Sequence, residues 1–105
     1  EAGKRKLPDR QHVHGDIRNM SSIALEGEYD LIFMVQVSMH LPDPFHIINN
    51  IKSKYLKSGG QIWIDFTCHQ DIDDWRQESF FTRVYSSEYV IKNIIDMGFK
   101  IISQF

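Results

Sequence analysis

The sequence predicts an α/β domain built on a parallel sheet, and three observations carry that expectation. Strand-like and helix-like segments alternate along most of the chain, the arrangement that pairs strands in parallel through crossover connections. Leu31-Ile32-Phe33-Met34-Val35-Gln36-Val37 is apolar almost throughout, the pattern of a strand buried on both faces of such a sheet. Glycine closes each of the two clearest helical segments, at Gly59-Gly60 and at Gly98.

Gln11-His12-Val13-His14 reads as a short strand ending at Gly15-Asp16. Leu31 to Val37 is the second strand, with Asp30 closing the polar stretch before it. Leu41-Pro42-Asp43-Pro44 then opens a helix. Asp43 suits the N-cap, and Pro44 suits the first helical position, where a missing N–H costs nothing. Phe45, Ile48, Ile51 and Tyr55 recur at helical spacing with Ile47 beside them. Lys52, Lys54 and Lys57 place positive charge toward the negative end of the helix dipole. Gly59-Gly60 is expected to end this helix, and Gln61 to Phe66 reads as a third strand. Residues 67–85 are polar and aromatic, with a short helix expected over Asp73–Phe81. Ser86 or Ser87 caps a further helix whose apolar face is Tyr89, Val90, Ile91, Ile94 and Ile95. Gly98 ends it, and Phe99 is expected to fold back on Ile94. Lys100 to Phe105 is expected to be the last strand. No Asn-Gly or Asp-Gly hairpin turn separates the strands.

Composition narrows the function classes. The chain has 105 residues, enough for one domain, with 42% apolar and 25% charged residues. Twelve basic against fourteen acidic residues gives a net charge of −2, which argues against a surface built to neutralise nucleic-acid phosphates. The longest uninterrupted apolar run, Leu31 to Val35, falls far short of the ~20 residues of a membrane-spanning helix. Cys68 is the single cysteine and makes no internal disulfide, so a reducing cytoplasm is the expected location. A basic polar opening, Gly3-Lys4-Arg5-Lys6, and a strand-like close at Ile101 to Phe105 lead to the expectation of a piece of a larger protein.

In open α/β sheets ligands bind beyond the carboxyl ends of the strands, which here are Gly15-Asp16-Ile17, Val35 to His40 and Phe66 to His69. These ends mix polar with apolar groups, as a nucleoside site requires. Four segments then carry a resemblance. Tyr29 through Pro44 resembles the fourth strand and following turn of class I S-adenosylmethionine-dependent methyltransferases. Leu56-Lys57-Ser58-Gly59-Gly60 resembles their leucine-lysine-proline-glycine-glycine turn, with Ser58 in place of proline. Val84 through Phe99 is similar to their late helix and its glycine-phenylalanine exit. Val13-His14-Gly15-Asp16-Ile17 is similar to the end of their third strand.

The resemblance implies a three-layer, Rossmann-like, mostly parallel sheet, with this chain a fragment lacking the first two strands. Residues 1–105 then form a single partial domain. The family's glycine-rich loop and the acidic residue that holds the ribose hydroxyls have no counterpart here, which implies that this chain alone binds S-adenosylmethionine weakly or not at all and is inactive by itself. The implied reaction is methyl transfer to a small-molecule acceptor, with neither nucleic acid nor membrane as partner. A non-catalytic methyltransferase-like binding module and another nucleotide-binding α/β enzyme stand as the alternatives.

The resemblance also assigns roles. Asp16 accepts from the adenine amino group, against the plainer reading of a turn aspartate. Ile17 packs near the adenine ring. Val35 and Gln36 turn backbone groups toward the methionine part, although Val35 also reads as core. His40 is the candidate general base, against a local turn role. No metal site is expected: His12 and His14 share a strand face but are only two ligands, and Cys68-His69 lacks partners at metal spacing. Asp71, Asp73 and Asp74 read as a solvated helix start, and residues 67–85 as the stretch nearest the acceptor. A strand with an unpaired edge leads to the further expectation of self-association.

Overall fold

A computed structural model describes Val13, residues 15–79 and residues 82–104. Strand β1 (Tyr29–Met34) and strand β2 (Leu56–Ile64) pair in parallel, joined by helix α1 (Pro44–Tyr55). A second, antiparallel pair follows, β3 (Trp75–Gln77) with β4 (Arg83–Tyr85), and then helix α2 (Ser87–Asp96). The chain is thus mixed α/β with a two-stranded parallel sheet.

α1 forms as its sequence dictates. The Asp43 carboxylate accepts from the His46 N–H at 3.2 Å, satisfying one of the donors a helix start leaves open. The face carrying Ile47, Ile48 and Ile51 buries against Met34 and Leu41, and Ile32, Ile62 and Ile64 pack onto the same cluster. These strand residues alternate with Leu31, Phe33 and Trp63, which stay exposed on the other face. The expectation of a central strand buried on both faces is therefore corrected: β1 is covered on one. An apolar run records affinity for cover without recording which face receives it.

α1 and β2 join without a loop, so Gly59-Gly60 does not end the helix but lies inside β2. Tyr29 pairs with Leu56 and Leu31 with Gln61, so Asp30 alone faces residues 57–60. This bulge needs a glycine at position 60. A Cβ there would stand 2.8 Å from Leu56 Cδ1 and 3.0 Å from the carbonyl oxygens of Asp30 and Lys57.

The helix expected over Asp73–Phe81 is instead the β3 strand and its turn. The N–H groups of Glu78 and Ser79 both donate to Thr82 O, closing a loop longer than the two-residue hairpins sought in the sequence. Phe80 and Phe81 lie outside the described residues. β4 is anchored beyond the carboxyl end of β2: Tyr85 N–H donates to Thr67 O at 2.8 Å, and His69 N–H to Tyr85 O at 2.9 Å. Around it Phe45, Phe66, Tyr85 and Tyr89 form an aromatic cluster, with the Phe66–Tyr85 ring centroids 5.3 Å apart.

α2 opens on Ser86, whose Oγ accepts from Tyr89 N–H. At its end Gly98 adopts φ 91°, its N–H bonding Ile95 O and that of Phe99 bonding Ile94 O. This is the expected fold-back of Phe99. Lys52 clamps that exit to α1, donating to Met97 O at 2.5 Å and lying over the Phe99 ring. The strand expected over Lys100 to Phe105 is absent across residues 100–104, which pair with no sheet edge among the described residues. Phe105 lies outside the described residues, as do Gln11, His12 and His14 of the expected first strand.

Candidate functional site

The carboxyl ends of β1 and β2 are tied crosswise. Asp65 N–H donates to Met34 O at 3.4 Å, and the Asp65 carboxylate accepts from Gln36 N–H at 2.7 Å. Gln36 has φ 56°, a region that side-chain-bearing residues seldom occupy. The bond to Asp65 holds that bend, just past the end of β1. Val35 is exposed, so its alternative reading as core is corrected.

Asp16 lies in a turn and grips Arg18. Its carboxylate accepts from the Arg18 N–H at 2.9 Å and from the guanidinium Nη2 at 2.8 Å. These bonds hold the Asp16 carboxyl below, and the Arg18 guanidinium above, their ordinary pKa values. Ile17 is half-buried against the cluster of Met34 and α1. Lys54 Nζ reinforces this placement by donating to Met20 O at 3.2 Å, in the 3-10 turn Met20–Ser22. The structure thus brings Ile17 to the core beneath β1 and leaves Asp16 at the surface.

A second 3-10 turn, Ser38–His40, follows Gln36 and places His40 on an open cleft of about 450 Å³. Met39, Leu41, Pro42, Gln77, Thr82 and Arg83 complete its described lining. Thr67 Oγ1 reaches Met39 Sδ at 3.8 Å, so the cleft lies between the segment after β1 and the hairpin after β2. Arg83 divides it from a smaller hollow of about 300 Å³ that includes Trp75, Tyr85 and Tyr89. The guanidinium stacks 4.2 Å from the Trp75 ring centroid and donates to Pro42 O, which fixes its position.

Asp65 and Arg83 were not singled out as site residues by the sequence. Asp65 had a usable signal, an acidic residue directly after Ile62-Trp63-Ile64 at a strand end. Arg83 had none, because its place on the cleft depends on a hairpin read as a helix.

Among the described residues no three His, Cys, Asp or Glu side chains come together as a metal site, and no helix is long and apolar enough to cross a membrane. Cys68 is exposed and unpaired as a thiol. No family model matches this chain, and no curated protein or solved structure is significantly similar to it.

Proposed function

We propose that this chain carries part of the cofactor site of a class I S-adenosylmethionine-dependent methyltransferase, with β1 and β2 as neighbours in a larger three-layer, Rossmann-like sheet. The observation that supports the reading most is the parallel β1–α1–β2 unit whose carboxyl ends meet at Gln36 and Asp65, where ligands of α/β sheets bind. Val35 and Gln36 fit the role of presenting backbone groups to a ligand, since both are exposed just past the carboxyl end of β1. Asp16 is an exposed carboxylate that could accept from an adenine amino group in exchange for part of its hold on Arg18, whose N–H, Nε and Nη2 make four contacts to it. Ile17, held against the core, is the apolar neighbour of that carboxylate.

When bound, S-adenosylmethionine supplies a sulfonium methyl already activated for transfer. The protein's task is then alignment and the handling of one proton. The cleft beside His40 is the acceptor's place in this reading. Its described lining includes Arg83 and His40 but no carboxylate, which suits a small acceptor bearing negative charge. His40 sits where it can take the proton released by an O or N nucleophile.

Equilibrium dialysis with radiolabelled S-adenosylmethionine tests the reading. Saturable, millimolar-range binding that S-adenosylhomocysteine displaces is the expected result. Asp16→Ala is expected to weaken it about tenfold, the loss of one charge-assisted hydrogen bond. Binding that is absent, or unchanged in the folded variant, contradicts the assignment.

A further inference from the structure

We propose that the cleft beside His40 binds a small apolar monocarboxylate, and that Arg83 is the residue that holds its charge. Of the three described arginines, Arg18 pairs with Asp16 and Arg76 with Glu78, whereas no described carboxylate pairs with Arg83. Arg83 is nonetheless half-buried. A guanidinium partly withdrawn from water gains more from an anion than an exposed one does, because its surroundings screen the pair less. Its position is already fixed: the guanidinium lies 4.2 Å from the Trp75 ring centroid, and Nη1 donates to Pro42 O. A guanidinium carries five N–H donors in one plane, and the bond to Pro42 O uses one of them.

Charge selects the side of Arg83 on which the anion sits. The smaller hollow is lined by Asp43, whose carboxylate repels an anion. The cleft's described lining carries no carboxylate. Polar side chains flank Arg83 there: Thr82 precedes it in the chain, and Gln77 is its register partner across the hairpin. Met39, Leu41 and Pro42 supply the apolar wall, which an uncharged hydrocarbon body suits. At about 450 Å³ the cleft has the size of a small-molecule site.

The same lining favours a carboxylate over a phosphate. A phosphate monoester carries nearly two negative charges, and its recognition draws on clusters of cations. The described lining holds one permanent cation, Arg83, with no lysine and no second arginine. A carboxylate carries one charge, and its two oxygens match two parallel N–H groups along a guanidinium edge. As the acceptor's substrate class this inference rests on the methyltransferase reading; as a binding site it stands without it. In that reaction the carboxylate is the handle and not the methylated group. An ionised carboxylate has no proton for His40 to take, so the nucleophile is a separate O–H or N–H on the same molecule.

Nuclear magnetic resonance titration of the isotopically labelled 105-residue chain with phenylacetate, at neutral pH and without cofactor, tests the site. The expected result is saturable, millimolar-range binding that moves the Trp75 indole N–H and the amides of Thr82 and Arg83, while the Trp63 indole stays put. Phenylacetamide keeps the shape and loses the charge, and it is expected to bind at least about tenfold more weakly, as is inorganic phosphate. Arg83→Lys keeps the charge and loses the planar fork, so it is expected to weaken phenylacetate by about tenfold. The comparison with phenylacetamide uses the unaltered chain and decides the matter should Arg83→Lys unfold. No binding, equal binding of phenylacetamide or phosphate, or a folded Arg83→Lys with unchanged affinity would overturn the proposal. S-adenosylmethionine is read at Asp16, Ile17, Val35 and Gln36 instead, so failure of the cofactor reading is distinguishable from failure of this site.

Discussion

The phenol of Tyr85 is 1% exposed, and its hydroxyl has no hydrogen-bond partner among the described residues. Burial pushes this phenol above the ordinary tyrosine pKa, while the Arg83 guanidinium pulls partly back. Removing an unsatisfied buried hydroxyl while keeping the ring stabilises, so Tyr85→Phe should gain about 1 kcal/mol in urea unfolding at neutral pH. The pH dependence has a definite sign. With the folded pKa raised, stability is fully present below the unfolded tyrosine value and is lost as pH rises through the folded one. Wild type should therefore lose more stability than Tyr85→Phe above about pH 10. Equal slopes, or a less stable variant at neutral pH, would show that the hydroxyl has a partner. At the strand ends, Asp65→Ala should cost about 1 kcal/mol by releasing Gln36 N–H. Gln36→Val should cost about as much again, because a β-branched residue resists φ 56°. Caps such as Asp43 and Ser86 were legible in the sequence because cap and capped N–H lie three residues apart. The Asp65–Gln36 bond spans 29 residues, and nothing local announces it.

At the scale of elements, the helices were legible and the strands only partly so. α1 and α2 carry apolar periodicity, a polar N-cap residue and a dipole or glycine signal at the end, all agreeing within a dozen residues. β3 is short and exposed, so no alternation marks it, and its partner lies beyond a turn that is not a two-residue type. The segment after Gly98 has strand-like composition, but a strand exists only where another supplies its ladder. The β2 bulge gives this scale its prediction. Gly60→Ala should destabilise by about 1–2 kcal/mol, because two of the three atoms its Cβ meets are backbone carbonyl oxygens that cannot rotate away. Amide hydrogen exchange should localise the loss to β1 and β2, with α2 unaffected. Uniform loss, or none, would mean that the bulge yields easily.

For the whole molecule, α1 covers one face of a two-stranded parallel sheet, and the other face presents Phe33 and Trp63 to solvent. Parallel sheets occur almost only with both faces covered, so this asymmetry links stability to whatever the open face meets. The β1–α1–β2 part of the expected alternation was legible because parallel pairing follows from a strand–helix–strand order. The hairpin and cleft were not, because they arise where β4 returns to residues 67–69, a long-range contact without a local pattern. The cofactor assignment concerns a different kind of feature, the turn that Asp16 opens and the residues Val35 and Gln36 just past β1. Amide-resolved nuclear magnetic resonance titration of the isotopically labelled chain with S-adenosylmethionine tests it most directly. The account predicts that the largest shifts gather at the amides of Asp16, Ile17, Val35 and Gln36, with α2 unmoved. Shifts confined to other elements, or none up to the solubility of the ligand, would contradict it.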